Sequence, residues 1–215
     1  LLSQMLNARL EEYTNDANPP FVYAGSFHGS MMGRGKEAFQ SRAMTAEDKQ
    51  LDAVKTLAIE NERARKFGFS QSELDRAKNE YFAYYEKAFN DKDKNNSSSY
   101  LGIYQSNFLQ GEAMPSISYE YNLVKELLPT ITVKDVNNVI QSYIKDENRV
   151  IILTGPEKEG LKIPTEKDVL AALDVSKVEI TAYEDAAVAE SLVRNALKPG
   201  KVTNTAKNDK LGTTT

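Results

Sequence analysis

Ser70 and Glu73 constrain this chain more than any other short feature, because a hydroxyl and a carboxylate three residues apart form a reciprocal cap on a helix N-terminus. Phe69 precedes the pair and Leu74 follows it, the placement of a hydrophobic staple. A long helix to about Lys92 is therefore predicted. It carries Tyr81, Phe82, Tyr84, Tyr85 and Phe89. Such an aromatic group packs subdomains far more often than it boxes a ligand, since aromatic side chains supply the largest buried areas.

The rest of the chain is read around that helix. Leu2, Met5, Leu6, Leu10 and Tyr13 recur at helical spacing and stop at Asn15, Asp16, Asn18, Pro19 and Pro20. Phe21 to Ser30 and Lys36 to Thr45 read as two strands around Gly33-Arg34-Gly35. Thr45 and Asp48 have the spacing of a cap for a second helix, running to about Gly68 with Leu51, Val54, Leu57 and Ala58 on one face. After a polar break from Asp91 to Ser99, helical spacing returns over Tyr100 to Phe108, Tyr119 to Leu128 and Thr132 to Ile144. Arg149 to Thr154 reads as a short buried strand. A capped helix from Thr165 to Leu173, an alternating piece from Val178 to Tyr183 and an alanine-rich helix to Leu197 follow, and Pro199 to Thr215 is polar and aperiodic. The expected class is α+β: an antiparallel sheet packed with long helices in residues 1–160, followed by a connector over residues 161–215.

Composition removes several functions. With 27 basic and 31 acidic side chains the net charge is -4, and no basic stripe offers a surface for phosphates, so nucleic acid is not an expected partner. No apolar run approaches the roughly 20 residues of a membrane span. The opening residues already lie inside a helical pattern, so a signal segment would be invisible if the chain starts in mid-protein. The chain has no cysteine, which excludes disulfides and thiolate chemistry and fits either the cytoplasm or a secreted bacterial protein.

Catalytic constellations are equally scarce. A catalytic zinc takes three protein ligands, usually with histidines among them, and this chain has one histidine, His28. No H-x-x-E-H or H-E-x-x-H surrounds it, and no G-x-S-x-G elbow accompanies it. His28 reads as an ordinary strand histidine. Glycines 29, 33 and 35 suit a turn rather than a phosphate loop. Glu60, Glu62, Glu73 and Asp75 are expected on solvated helix faces. No catalytic residue and no metal ligand is assigned.

The segment Gly68 to Lys78, Gly-Phe-Ser-Gln-Ser-Glu-Leu-Asp-Arg-Ala-Lys, resembles a stretch of the pitrilysin/insulinase-type peptidases, the inverzincins, in which Glu-Leu-x-x-Ala-Lys opens a long helix. Leu1 to Leu10 resembles the family's helix before a strand pair, and Asn148 to Glu157 resembles its closing strand. Lys198-Pro-Gly-Lys201 and Leu211 to Thr215 resemble the approach to the family's second half. The resemblance implies part of a metallopeptidase-type α/β sandwich: residues 1–160 as the later, non-catalytic part of the first half, N-terminally truncated, and residues 161–215 as the inter-half linker.

The family's two halves enclose a peptide chamber, with zinc bound elsewhere by H-x-x-E-H and a distal glutamate. No cofactor is therefore expected in this chain, and zinc is expected in the parent protein. An Arg and a Tyr seven residues later serve some members' second halves; here Arg9 is followed at that spacing by Asp16, which favours the first half. The family can also anchor a substrate's N-terminal end along an edge strand, which would fall on Tyr23, Ala24, Gly25 and Ser26. The implied function is a segment of a zinc-dependent metalloendopeptidase that helps form the peptide chamber but is inactive alone. The alternatives are a non-catalytic scaffold or peptide-binding homologue of the same fold, and an unrelated α+β interaction module. Expected partners are a peptide or protein substrate and the remaining domains of the same polypeptide; a bacterial periplasmic or cell-envelope location suits the resemblance.

Overall fold

The computed structural model describes residues 1–31, 35–156, 158–185, 200–201, 204–210 and 212–214. They divide into two units, Leu1–Glu184 and Asp185–Thr215. The first contains α1 (Leu2–Glu12), β1 (Tyr23–Ser30), β2 (Glu37–Met44), α2 (Gln50–Phe67), α3 (Gln71–Asn90), α4 (Leu101–Gln110), α5 (Ile117–Leu127), α6 (Val133–Tyr143) and α7 (Glu166–Leu173). In the second, β3 (Lys207–Asn208) pairs antiparallel with β4 (Thr213–Thr214). The alanine-rich helix expected up to Leu197 lies outside the described residues.

The expected α+β class holds. β1 and β2 pair antiparallel, with Tyr23 opposite Met44 and Ser30 opposite Glu37. Helices supply most of the core: Met5, Leu6 and Leu10 of α1, Ala53 and Ala64 of α2, Leu74 and Ala77 of α3, and Val136 and Ile140 of α6 close around Phe21 and Phe69. Leu6 and Leu10, Leu74 and Ala77, and Val136 and Ile140 are three or four residues apart and so share a helix face, while the interval between Ala53 and Ala64 is about three helical turns. The aromatic group of α3 meets α5, where Phe89 stacks on Tyr121 at 4.8 Å and Phe82 lies 5.8 Å from the same ring. Packing is thus its structural role.

The corner between α2 and α3 organises the helices. Gly68 ends α2 with φ +69°, a conformation that side chains rarely adopt, and a β-carbon there would collide with the Asn137 side chain. Asn137 Oδ1 accepts the Phe69 N–H at 2.7 Å while its Nδ2 donates to the Phe69 carbonyl at 3.3 Å, which pins the corner to α6. The predicted capping box forms: the Glu73 N–H donates to Ser70 Oγ at 3.2 Å, and the Ser70 N–H donates to Glu73 Oε2 at 2.8 Å. The same Glu73 receives Arg9 of α1, whose Nε donates to Oε1 at 2.6 Å and Nη2 to Oε2 at 2.9 Å. Arg9 Nη2 also donates to the Gly68 carbonyl at 2.9 Å. Matching boxes open α6 at Thr132 and Asp135 and α7 at Thr165 and Asp168. Hydrogen bonds from the threonine hydroxyl and N–H hold both aspartates below the usual carboxyl range.

Three expectations change. α2 starts at Gln50 rather than under a Thr45–Asp48 cap, because β2 keeps its ladder to Met44 and residues 45–49 are needed to turn the chain. Val150 to Leu153 is not a buried strand: Val150 is 79% and Ile152 67% exposed. An apolar β-branched run becomes a strand only against a ladder partner, and among the described residues none lies beside it. The helix-face carboxylates also divide, since Glu60 and Glu73 are buried at 0% and 4% exposure while Glu62 and Asp75 lie outside the core.

Two substitutions separate the cap from the ion pair. Ser70→Ala should cost about 1 kcal/mol, within roughly 0.5–2, by removing one acceptor at the first turn of α3. Arg9→Ala should cost about 3–5 kcal/mol, because it leaves the Glu73 carboxylate buried without its cation. Urea midpoints measured side by side check the order; equal midpoints for the two variants would contradict it.

Candidate functional site

The four residues marked for substrate binding lie together on β1. Ala24, Ser26 and His28 share one face with their partners Ala43, Ser41 and Phe39, the face that meets the helices. Ser26 Oγ is 2.7 Å from Ser41 Oγ, and Asn61 of α2 bonds Ser41, with Nδ2 donating to its Oγ at 3.0 Å. These contacts fix the strand against α2. Tyr23 is 54% exposed, whereas Ala24, Gly25 and Ser26 are buried.

The burial of Gly25 and Ser26 has a local cause. The Tyr23 side chain folds over Gly25, so that a β-carbon there would lie 3.0 Å from the phenol oxygen. From α1, the Asn7 Oδ1 accepts the Ser26 N–H at 2.6 Å. An antiparallel strand sends alternate N–H groups to its partner and the others outward. The Met31 N–H donates inward to the Lys36 carbonyl at 2.8 Å, and Ser26, five residues earlier, has the outward phase. The outward donor of β1 is thus met by a side-chain amide in the position where the carbonyl of an added strand would lie.

His28 stacks on Tyr143 of α6 at 4.1 Å between centroids and 4° between planes. Its Nε2 is 3.9 Å from a Glu37 carboxylate oxygen. Among the described residues no group of three or more His, Cys, Asp or Glu side chains could hold a metal ion. The donors present do not fit a catalytic zinc, which needs three ligands around one open position.

A second polar cluster escaped the sequence reading. Glu60 pairs with Arg63 and accepts the Tyr13 hydroxyl at 2.7 Å, beside Arg9, whose guanidinium lies over the Phe69 ring at 4.6 Å and the Tyr183 ring at 4.5 Å. Arg9 spaced at i+3 and i+4 from Leu6 and Met5 stands in the apolar stripe of α1, and that misplaced charge was the available signal.

No family model matches the chain. A curated Arabidopsis thaliana protein named "Zinc protease PQQL-like" is 25% identical over 154 residues, covering 71% of this chain and 16% of that protein. The crystal structure of the first half of the periplasmic protease PqqL from Escherichia coli superposes with a TM-score of 0.56 at 21% identity, over 66% of this chain and 30% of that one. The PqqL crystal structure itself gives 0.66 at 18% identity, over 96% and 23%. The fold is that of the pitrilysin/insulinase-type peptidases. A predicted insulinase family protease from Yersinia pestis agrees, with a TM-score of 0.65 at 13% identity over 80% of this chain and 37% of that one. The resemblance carried by Gly68 to Lys78 is therefore borne out in the architecture. The chain spans only 16% of the curated relative and 23–37% of the solved insulinase-type chains. No helix among the described residues is long and apolar enough to cross a membrane.

The site geometry yields a metal prediction. The purified chain should bind zinc well below one equivalent, and metal analysis after dialysis checks this. One tightly held zinc per chain, lost in His28→Ala, would overturn the assignment.

Proposed function

We propose that this insulinase-type segment forms part of the wall of a peptide-binding chamber in a zinc-dependent metalloendopeptidase and supplies none of the zinc ligands. The zinc chemistry would then reside elsewhere in the same polypeptide, with residues 161–215 acting as the connector toward the other half. The solved PqqL relatives are periplasmic proteases, which supports a periplasmic or cell-envelope home.

The observation that carries the peptide role is the outward Ser26 N–H, paired with the Asn7 amide rather than with another strand. An extended peptide adding along Tyr23 to Ser26 would offer a main-chain carbonyl in place of Asn7 Oδ1, and the ladder would gain one strand. Affinity gained this way depends on backbone pairing more than on any one peptide side chain. Asn7 would act as a placeholder that keeps the buried donor satisfied while the edge is empty.

Ala24→Pro in the parent polypeptide removes a backbone donor and fixes φ, so KM for peptide should rise severalfold with zinc content unchanged. Unfolding would mean that the strand cannot serve as an edge, and an unaltered KM would mean that the edge has no anchoring role. An H-x-x-E-H motif elsewhere in the polypeptide separates the enzyme from a non-catalytic scaffold of the same fold.

A further inference from the structure

The polar pocket between α1, α2 and residues 181–184 has a volume of about 290 Å³ and stands apart from the β1 edge. Tyr183 and Glu184 form one of its walls. The Tyr183 ring lies over the Arg9 guanidinium at 4.5 Å, and the Tyr183 hydroxyl donates to Glu12 Oε1 at 2.5 Å. Two residues earlier, the Thr181 carbonyl accepts from Arg63 Nε at 3.1 Å. The three contacts read three different features of a peptide: an aromatic face by a cation, a phenol by a carboxylate, and a main-chain carbonyl by a guanidinium.

We propose that this pocket, together with the surface under residues 181–184, is a recognition slot for an extended peptide segment bearing a tyrosine, and that residues 181–184 cover part of it in cis as a displaceable latch.

Two observations favour a latch over a permanent seal. Thr181 and Ala182 are exposed and belong to no helix or strand, so Tyr183 is the one half-buried side chain through which 181–184 grips the pocket. The fit is also incomplete. Arg9 Nη1 and Glu60 Oε2 belong to groups that line the pocket and are 2% and 0% exposed, yet neither atom has a hydrogen-bond partner among the described residues. Leaving one atom of each buried charged group unpaired carries a desolvation cost that a purely structural seal gains nothing by bearing. An occupant that offers one more carbonyl to Arg9 and one more N–H to Glu60 would complete the slot, and an extended peptide backbone carries both.

The test uses the full 215-residue chain and a fluorescein-labelled peptide, acetyl-Val-Glu-Ile-Thr-Ala-Tyr-Glu-amide, which copies residues 178–184. Fluorescence anisotropy should show the peptide binding Tyr183→Ala at least about tenfold more tightly than wild type, in which the tethered segment competes at an effective concentration on the order of millimolar. Replacing the peptide's tyrosine by alanine, or adding Arg63→Ala to the chain, should abolish that gain. Circular dichroism and a urea midpoint establish that each variant is folded. A folded Tyr183→Ala chain that takes the peptide no better than wild type, or takes the alanine peptide equally well, overturns the proposal. If Tyr183→Ala does not fold, hydrogen exchange on the wild-type chain decides: excess unlabelled peptide should displace the segment and speed exchange of the 181–184 amides severalfold, with the α1 amides unchanged. Exchange of the 181–184 amides that the peptide leaves unchanged would make the segment a fixed part of the domain and refute the latch.

Discussion

Everything in the larger unit turns on the contact between Arg9 and Glu73. One guanidinium reaches both oxygens of a carboxylate and the Gly68 carbonyl, while that carboxylate also caps the first turn of α3. The two side chains are 2% and 3% exposed, so the attraction acts where screening by water and salt is weak. A buried pair of this kind is not simply a gain, since taking both charges out of water costs nearly as much as their attraction returns. What it secures is direction. Arg9 meets its acceptors from α1 only if the α2–α3 corner has one geometry, and Asn137 fixes that corner from α6.

This corner explains why so short a sheet can be rigid. Two strands alone are marginal in water. Here β1 is held by Ser26 and Asn7 on α1, β2 by Ser41 and Asn61 on α2, and both helices converge on Arg9, Glu73 and Gly68. β1 is thereby mounted on a packed helical layer rather than on a loop, which is the backing that the proposed peptide role requires.

The sequence was most legible where local chemistry is decisive. Caps depend on residues three apart, and those at Ser70, Thr132 and Thr165 form, whereas the Thr45–Asp48 pair is taken up in the turn after β2. The strand pair and its placement before α2 were also readable, because aromatic, β-branched and small residues are a local signal. Features that depend on distant partners were not. Arg9 gains meaning from Glu73, 64 residues away, and Glu60 is buried because Tyr13 of the preceding region reaches it. Val150 to Leu153 has strand composition and, among the described residues, no neighbour of the kind that composition presupposes. At the candidate site, the residues of β1 could be named in advance, but Asn7 could not, since its role exists only after α1 lies across the strand.

Gly68 and Asn137 also set a rule for how this fold can diverge. The glycine leaves no room for a β-carbon because the Asn137 side chain occupies that space, and the Asn137 amide in turn copies the hydrogen bonds of a backbone to Phe69. Neither position can drift: a side chain at 68 meets Asn137 and is strained at φ +69° even where space is made, and a shorter residue at 137 strands the N–H and carbonyl of Phe69. Substitutions at either site should therefore be refused, which makes the corner a fixed point shared by helices far apart along the chain.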